Sequence, residues 1–173
     1  METAAAHNRL ASRIWRAGLS AIFMLGMSCA PSGSVVKVES SVSVLQVDDT
    51  AVASVKVENI ADLIAFEAHL AFDPNVLEVT ELIAGSFIKP DFIVQNTFDN
   101  AAGTIDYAIA QIDRPPANGD GTLFEIVFRA KAKGQSPINF RETQAALMGM
   151  LLSDSTGKAI QVSLVNANID VSE

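Results

Sequence analysis

The sequence has only one cysteine, Cys29, and two histidines, His7 and His69. A single cysteine excludes an internal disulfide and a four-cysteine metal site. No Ser–His–Asp set, zinc-binding cluster or phosphate-binding glycine loop can be assembled around the histidines. A lone histidine in a strand pattern is more often a surface residue than a catalyst. We therefore predict a protein that is not an enzyme and that carries no metal or cofactor.

Basic residues are also few, with 12 Lys and Arg against 20 Asp and Glu and a formal net charge of -8. Such a surface repels phosphates, so nucleic acid is not an expected partner. The carboxylates are scattered, and nothing singles out the facing pair that a glycosidase needs. Residues 118–121 (NGDG), with Asp113 nearby, lack the further oxygen ligands of an EF-hand. We interpret them as a loop whose glycines supply positive φ angles.

Aromatic residues make up only 6% of the chain. Trp15 lies near the N-terminus, Tyr107 is the single tyrosine, and most of the nine phenylalanines fall on apolar faces of predicted strands. Few aromatic rings are left to stack on sugars. Direct binding of a polysaccharide is therefore an alternative function and not the first hypothesis.

The N-terminus has the layout of a secretory signal, which we assign to residues 1–29. Three arginines precede an uncharged, mostly apolar run over residues 17–27, and small residues follow it. Cys29 lies where a bacterial lipoprotein is acylated, although cleavage after Ala30 fits the same residues. We expect an exported protein, either a cell-surface lipoprotein or a secreted one, in which residues 30–38 form a tether. A lipid anchor would be its only contact with a membrane.

After this segment, short stretches of alternating apolar and polar residues are separated by turn signals, and no stretch sustains an amphipathic helix. The spacing predicts an all-β sandwich or barrel of about nine strands. Residues 144–152 (QAALMGMLL) fit either a helical turn or an irregular strand, and the glycine favours the strand.

Several segments resemble a cohesin domain, in the same order along the chain. Residues 55–79 (VKVENIADLIAFEAHLAFDPNVLEV) carry the resemblance best, through a strand that ends in an aromatic-Asp-Pro turn followed by Val-Leu-Glu-Val. Further matches are residues 100–105 (NAAGTI), residues 119–128 (GDGTLFEIVF) and Gly134 before Pro137. The resemblance covers roughly residues 40–171, although the chain shows one copy and no internal repeat.

The resemblance implies a nine-stranded jelly-roll β-sandwich over residues 39–173. It also implies a non-catalytic module that docks dockerins, the calcium-loaded helical modules of exported polysaccharide-degrading enzymes. Cohesins bind this partner on the sheet formed by their strands 8, 3, 6 and 5. By strand order, these correspond here to residues 138–147, 65–72, 104–111 and 92–97.

Alternation predicts which side chains of that sheet face outward. Phe66, Ala68, Leu70 and Phe72 are expected in the core, as are Ile105, Tyr107 and Ile109. The facing of residues 92–97 is open, because Ile93, Gln95 and Thr97 fit either side. We expect a flat, mildly acidic platform whose partner-binding residues are Glu67, His69, Ala71, Asp106, Ala108, Ala110, Gln95 and Asn139.

Overall fold

The computed structural model describes residues 33–173, so the predicted signal and Cys29 lie outside the described residues. Every regular element in this range is a β-strand, which confirms the all-β prediction. None of the described residues form a helix that could span a membrane. The strands are β1 Val35–Ser40, β2 Val44–Gln46, β3 Thr50–Ala71, β4 Leu77–Ala84, β5 Phe92–Asp99, β6 Thr104–Ala110, β7 Ala117–Ala130, β8 Gly134–Phe140, β9 Met150–Asp154, β10 Ser163–Val165 and β11 Ala167–Ser172.

Strand β3 belongs to both layers of the sandwich, and the strand expected at residues 65–72 is its second half. Its first half pairs with β1 and β7, and its second half pairs with β6, β8 and β9. The change of layer occurs at bulges where Asn59 and Asp62 adopt positive φ angles of 54° and 62°. Asp120 accepts a hydrogen bond from the Asn59 backbone N–H, and Asn118 accepts one from that of Asp62. The loop predicted at residues 118–121 is instead part of β7, which begins at Ala117.

Stacked aromatic rings join the two layers. The Tyr107 ring of β6 stacks on Phe124 of β7, with centroids 4.5 Å apart, and Phe66 of β3 stacks on both. At the far end of β3, Phe72 meets Phe128 edge to face at 5.5 Å. The side chains predicted to face inward on β3 and β6 are all buried, namely Phe66, Ala68, Leu70, Phe72, Ile105, Tyr107 and Ile109.

Two predicted boundaries are wrong. The tether was expected to include residues 35–38, but β1 begins at Val35 and pairs antiparallel with β3. Val36 and Val38 are buried in the core. This part of the chain folds with the sandwich because burial of these alternate valines removes apolar surface from water.

The second wrong boundary concerns the strand predicted at residues 138–147. Strand β8 ends at Phe140, opposite Leu70, and β9 resumes the same edge of β3 at Met150, opposite Ala68. Residues 141–149 leave the sheet as a loop between these two points. Residues 144–152 are thus neither a helical turn nor one continuous strand.

Candidate docking surface

The four-strand surface expected from the sequence is present, in the order β5, β6, β3 and then β8 with β9. Directly paired residues of neighbouring strands share a face of the sheet. One outward row runs across the sheet as Gln95, Ala108, Glu67 and Leu151. We call the outward face of these strands the platform.

The other predicted residues lie in rows parallel to the first. Thr97, Asp106 and His69 form the adjacent row, and Ala71 of β3 opposes Asn139 of β8 in the row beyond it. On the other side, Ala110 opposes Ala65. All eight residues predicted for partner binding are therefore brought onto one face. These are Glu67, His69, Ala71, Asp106, Ala108, Ala110, Gln95 and Asn139.

The pairing also settles the facing of β5. Gln95 lies opposite Ala108 and Thr97 opposite Asp106, so both face outward, whereas Ile93 lies opposite Ile109 and faces the inner side. A register shift between Ile93 and Gln95 inserts Val94 as a bulge residue. This bulge explains why strict alternation along the strand could not be used to predict its facing.

A charged cluster occupies the middle of the platform. His69 Nδ1 lies 2.5 Å from Asp106 Oδ1, and His69 Nε2 lies 2.6 Å from Glu67 Oε1. Arg141 Nη2 donates to the same Asp106 oxygen at 2.6 Å. Carboxylates accept hydrogen bonds only, so both contacts of the ring are hydrogen bonds when His69 carries both protons. The histidine side chain is only 8% exposed because its neighbours cover it.

Arg141 was not predicted from the sequence. It lies in the loop after β8, where alternation gives no information about direction. Its backbone N–H donates to the carbonyl of His69, and the N–H of His69 donates to the carbonyl of Gly149, both at 2.8 Å. Both ends of the 141–149 loop are thus hydrogen-bonded to the backbone of His69, and the loop places the Arg141 guanidinium beside Asp106.

Ala108 is not the exposed residue that was expected. It faces outward and is absent from the core cluster, yet it is only 4% exposed. Its methyl group lies between the longer side chains of Glu67 and Gln95, with which it pairs. Ala108 and Glu67 line a shallow hollow of about 150 Å³ that also includes Val94 and Leu151. The centre of the platform is therefore concave and not flat.

Apolar side chains border this hollow on two sides and were not among the predicted residues. Phe92 and Val94 of β5 are exposed on one side. On the other, Leu151 also lines a neighbouring groove of about 340 Å³ with Leu147, Met148 and Ile160. Leu147 and Met148 are exposed in the 141–149 loop. The apolar residues 144–152 could have indicated this second rim. Their position beside the hollow depends on the path of the 141–149 loop, which local sequence pattern does not give.

Within residues 33–173, no group of three or more His, Cys, Asp or Glu side chains is arranged to hold a metal ion. Although Glu67, His69 and Asp106 are close together, the two carboxylates bind opposite nitrogens of the imidazole ring. The donors of this cluster therefore do not converge on one point.

The fold and the platform together define a β-sandwich with one concave face of mixed apolar and charged character. Residues 35–171 match the family model of the cohesin domain, and the chain belongs to the cohesin family. Members of this family are non-catalytic binding modules. No curated protein sequence matches the chain.

Solved cohesin structures share the fold. A type II cohesin from the cellulosome of Acetivibrio cellulolyticus is 22% identical, with a TM-score of 0.70, over 80% of this chain and 95% of that one. A non-cellulosomal cohesin from the archaeon Archaeoglobus fulgidus is 20% identical, with a TM-score of 0.64, over 82% and 93%. The cohesin of a type I cohesin–dockerin complex from Clostridium thermocellum is 16% identical, with a TM-score of 0.68, over 82% and 100%.

Proposed function

We propose that the protein is an exported docking module that binds a dockerin through the platform. The observation that carries this proposal is the convergence of all eight predicted residues on one concave face of a cohesin-family sandwich. Solved relatives of the same fold include a cohesin in complex with a dockerin. The partner is expected to be a calcium-loaded helical module of an exported enzyme that degrades polysaccharides.

The chemistry of the platform fits a helical partner. The hollow over Ala108 and the apolar rims beside it offer desolvated contacts for aliphatic side chains of a helix. The cluster of Glu67, His69, Asp106 and Arg141 offers charged hydrogen-bonding groups next to that apolar centre. A partner helix with an apolar stripe flanked by a basic residue would match both features.

The exposed aromatic residues do not favour the alternative function of polysaccharide binding. On the outward face, Phe92 is the exposed aromatic side chain of the described residues, and Tyr107 is buried in the core. One ring at the edge of the sheet gives little surface on which a sugar polymer could stack.

The proposal is tested by calorimetric titration of the protein with a panel of calcium-loaded dockerins, in parallel with affinity gels containing cellulose or xylan. We expect saturable binding to at least one dockerin and no retention by the gels. Glu67→Lys should weaken dockerin binding, whereas Glu125→Lys, on the outer face of β7, should not. Retention by a polysaccharide without binding to any dockerin would contradict the proposal.

Export is a separate part of the proposal and rests on residues 1–29 of the sequence alone. We expect the native protein to lack Met1 and to carry a diacylglyceryl group on Cys29, or else to begin after Ala30. Mass spectrometry of the native protein decides between these two forms. A cytoplasmic pool that retains an intact Met1 would contradict export.

A further inference from the structure

Strand β5 forms an open edge of the sandwich. Among the described residues it pairs only with β6, so its other edge presents unpaired backbone groups over eight residues. Monomeric proteins usually protect such an edge with charges, prolines or bulges. From Phe92 to Phe98 the strand has no charged residue and no proline, and the bulge at Val94 is the only one of these devices that it has.

Apolar side chains are exposed on both sides of this strand. Phe92 and Val94 face the platform side and are 61% and 64% exposed, whereas Ile93 and Phe98 face the inner side and are 53% and 40% exposed. A partner docked on the platform would cover only the first pair. The second pair and the open backbone edge would remain exposed in such a complex.

We propose that β5 pairs antiparallel with β5 of a second copy of this chain. The strand is self-complementary in that orientation, since Ile93 lies near its start and Phe98 near its end, on the same side. A two-fold axis brings Ile93 of each copy toward Phe98 of the other, which is the pattern of an isologous interface. Cross-strand apolar pairs of this kind stabilise a sheet.

The distribution of charge around β5 supports a second copy of this chain as the partner of the open edge. The chain has a formal net charge of -8, so two copies repel each other least along a segment that lacks acidic residues. The strand from Phe92 to Phe98, which we call the seam, is such a segment. Beyond the seam, Asp91 precedes the strand and forms an ion pair with Arg114 at 3.1 Å, and Asp99 ends the strand. Backbone N–H groups of Ala102 and Ala101 hold the pKa of Asp99 below its ordinary value, so the carboxylate is charged at neutral pH. Antiparallel pairing places Asp91 of one copy, with its bound Arg114, near Asp99 of the other, so that the guanidinium lies between the two carboxylates.

This arrangement has a geometric consequence for the platform. The two-fold axis of an antiparallel edge pair runs perpendicular to the sheet, so both outward faces lie on the same side of a continuous sheet. The dimer would present two docking surfaces side by side. It could then hold two partners, or a partner with two docking modules, with the gain in avidity that follows from linkage.

Sedimentation equilibrium of residues 31–173 tests the proposal without any partner. These residues form one compact unit that contains the core cluster. We expect an average mass that rises with concentration to twice that of the monomer. Ile93→Lys and Phe98→Lys should each return the protein to a monomer, because each places a charge at the seam. Val165→Lys is the matched control: Val165 is 49% exposed on β10, and this variant should dimerise like the wild type.

Two results would overturn the proposal. A wild-type monomer at every concentration would leave the β5 edge to an extended peptide or to solvent. A dimer that persists in both lysine variants, with circular dichroism showing that they are folded, would place the interface elsewhere. Neither result depends on whether a dockerin binds.

Discussion

Gly149 closes the 141–149 loop against the platform, and its replacement by alanine tests whether that closure is needed. Gly149 has a φ of +80°, a backbone conformation that favours glycine. A Cβ atom there would lie 2.5 Å from the backbone nitrogen of Arg141 and 2.9 Å from the carbonyl carbon of Phe140. These are backbone atoms, so the loop must move to admit a methyl group.

Gly157 provides a matched control for the cost of the backbone angle. Its φ is +81°, and no atom lies within 4 Å of the position that a Cβ would occupy. Gly157→Ala should therefore lose only the conformational term, about 1 kcal/mol of unfolding free energy. Gly149→Ala should lose that amount and also weaken the two hydrogen bonds between His69 and the ends of the loop, at about 1 kcal/mol each. We expect a total loss of about 3 kcal/mol.

Urea denaturation followed by circular dichroism measures both variants, and unchanged m-values would show that only the stability has changed. Gly149→Ala should also weaken binding at the platform, since Arg141 would no longer be held beside Asp106. Equal losses of stability in the two variants would refute the reasoning, because the loop would then accept the methyl group without moving from His69.

Two further predictions concern the core and the opposite layer. Tyr107 is buried without a hydrogen-bond partner for its hydroxyl, and burial raises its pKa. Tyr107→Phe keeps the ring stack on Phe124 and should increase the unfolding free energy by about 1 kcal/mol in urea denaturation. A loss of stability would show that the hydroxyl has a partner. Hydrogen bonds from Lys37 and Lys56 lower the pKa of Glu39 from 4.5 to about 2. A lowered carboxyl pKa contributes stability above pH 4.5 that is lost as the pH falls toward 2, so the melting temperature of Glu39→Gln should fall less than that of the wild type over this interval. An equal fall would show that these ion pairs do not contribute.

Much of the platform could be predicted because alternation is a local property of a strand. Over residues 65–71 of β3 and along β6, an unbroken period of two separates Phe66 and Tyr107 from Glu67 and Asp106, and the sandwich needs only one buried side. The same reasoning failed to give the facing of β5, where the bulge at Val94 changes the phase. Alternation also says nothing about depth, so it placed Ala108 outward but missed its burial between longer neighbours.

The remaining errors arise where local pattern and long-range pairing disagree. Residues 138–147 were predicted as one strand from the strand order of the cohesin resemblance, but β8 ends at Phe140, and the sheet is completed by Met150 and the residues after it. Only the contacts of His69 with both ends of the loop show that residues 141–149 leave the sheet. The exposed apolar groups at Leu147 and Met148 follow from that excursion, and so does the position of Arg141.

The central claim is that the concave face around Ala108 docks the partner. Its most direct test is the dissociation constant of a dockerin complex measured for the wild type, for Ala108→Arg and for Ser54→Arg, with folding of each variant confirmed by thermal denaturation. Ser54 lies on the outer face of the opposite layer, where it pairs with Glu125. An arginine at Ala108 fills the hollow beside Glu67, Val94 and Leu151, so binding should weaken by two orders of magnitude or more, about 3 kcal/mol. Ser54→Arg should bind like the wild type. A folded Ala108→Arg variant with unchanged affinity would contradict the claim and place the docking surface elsewhere on the sandwich.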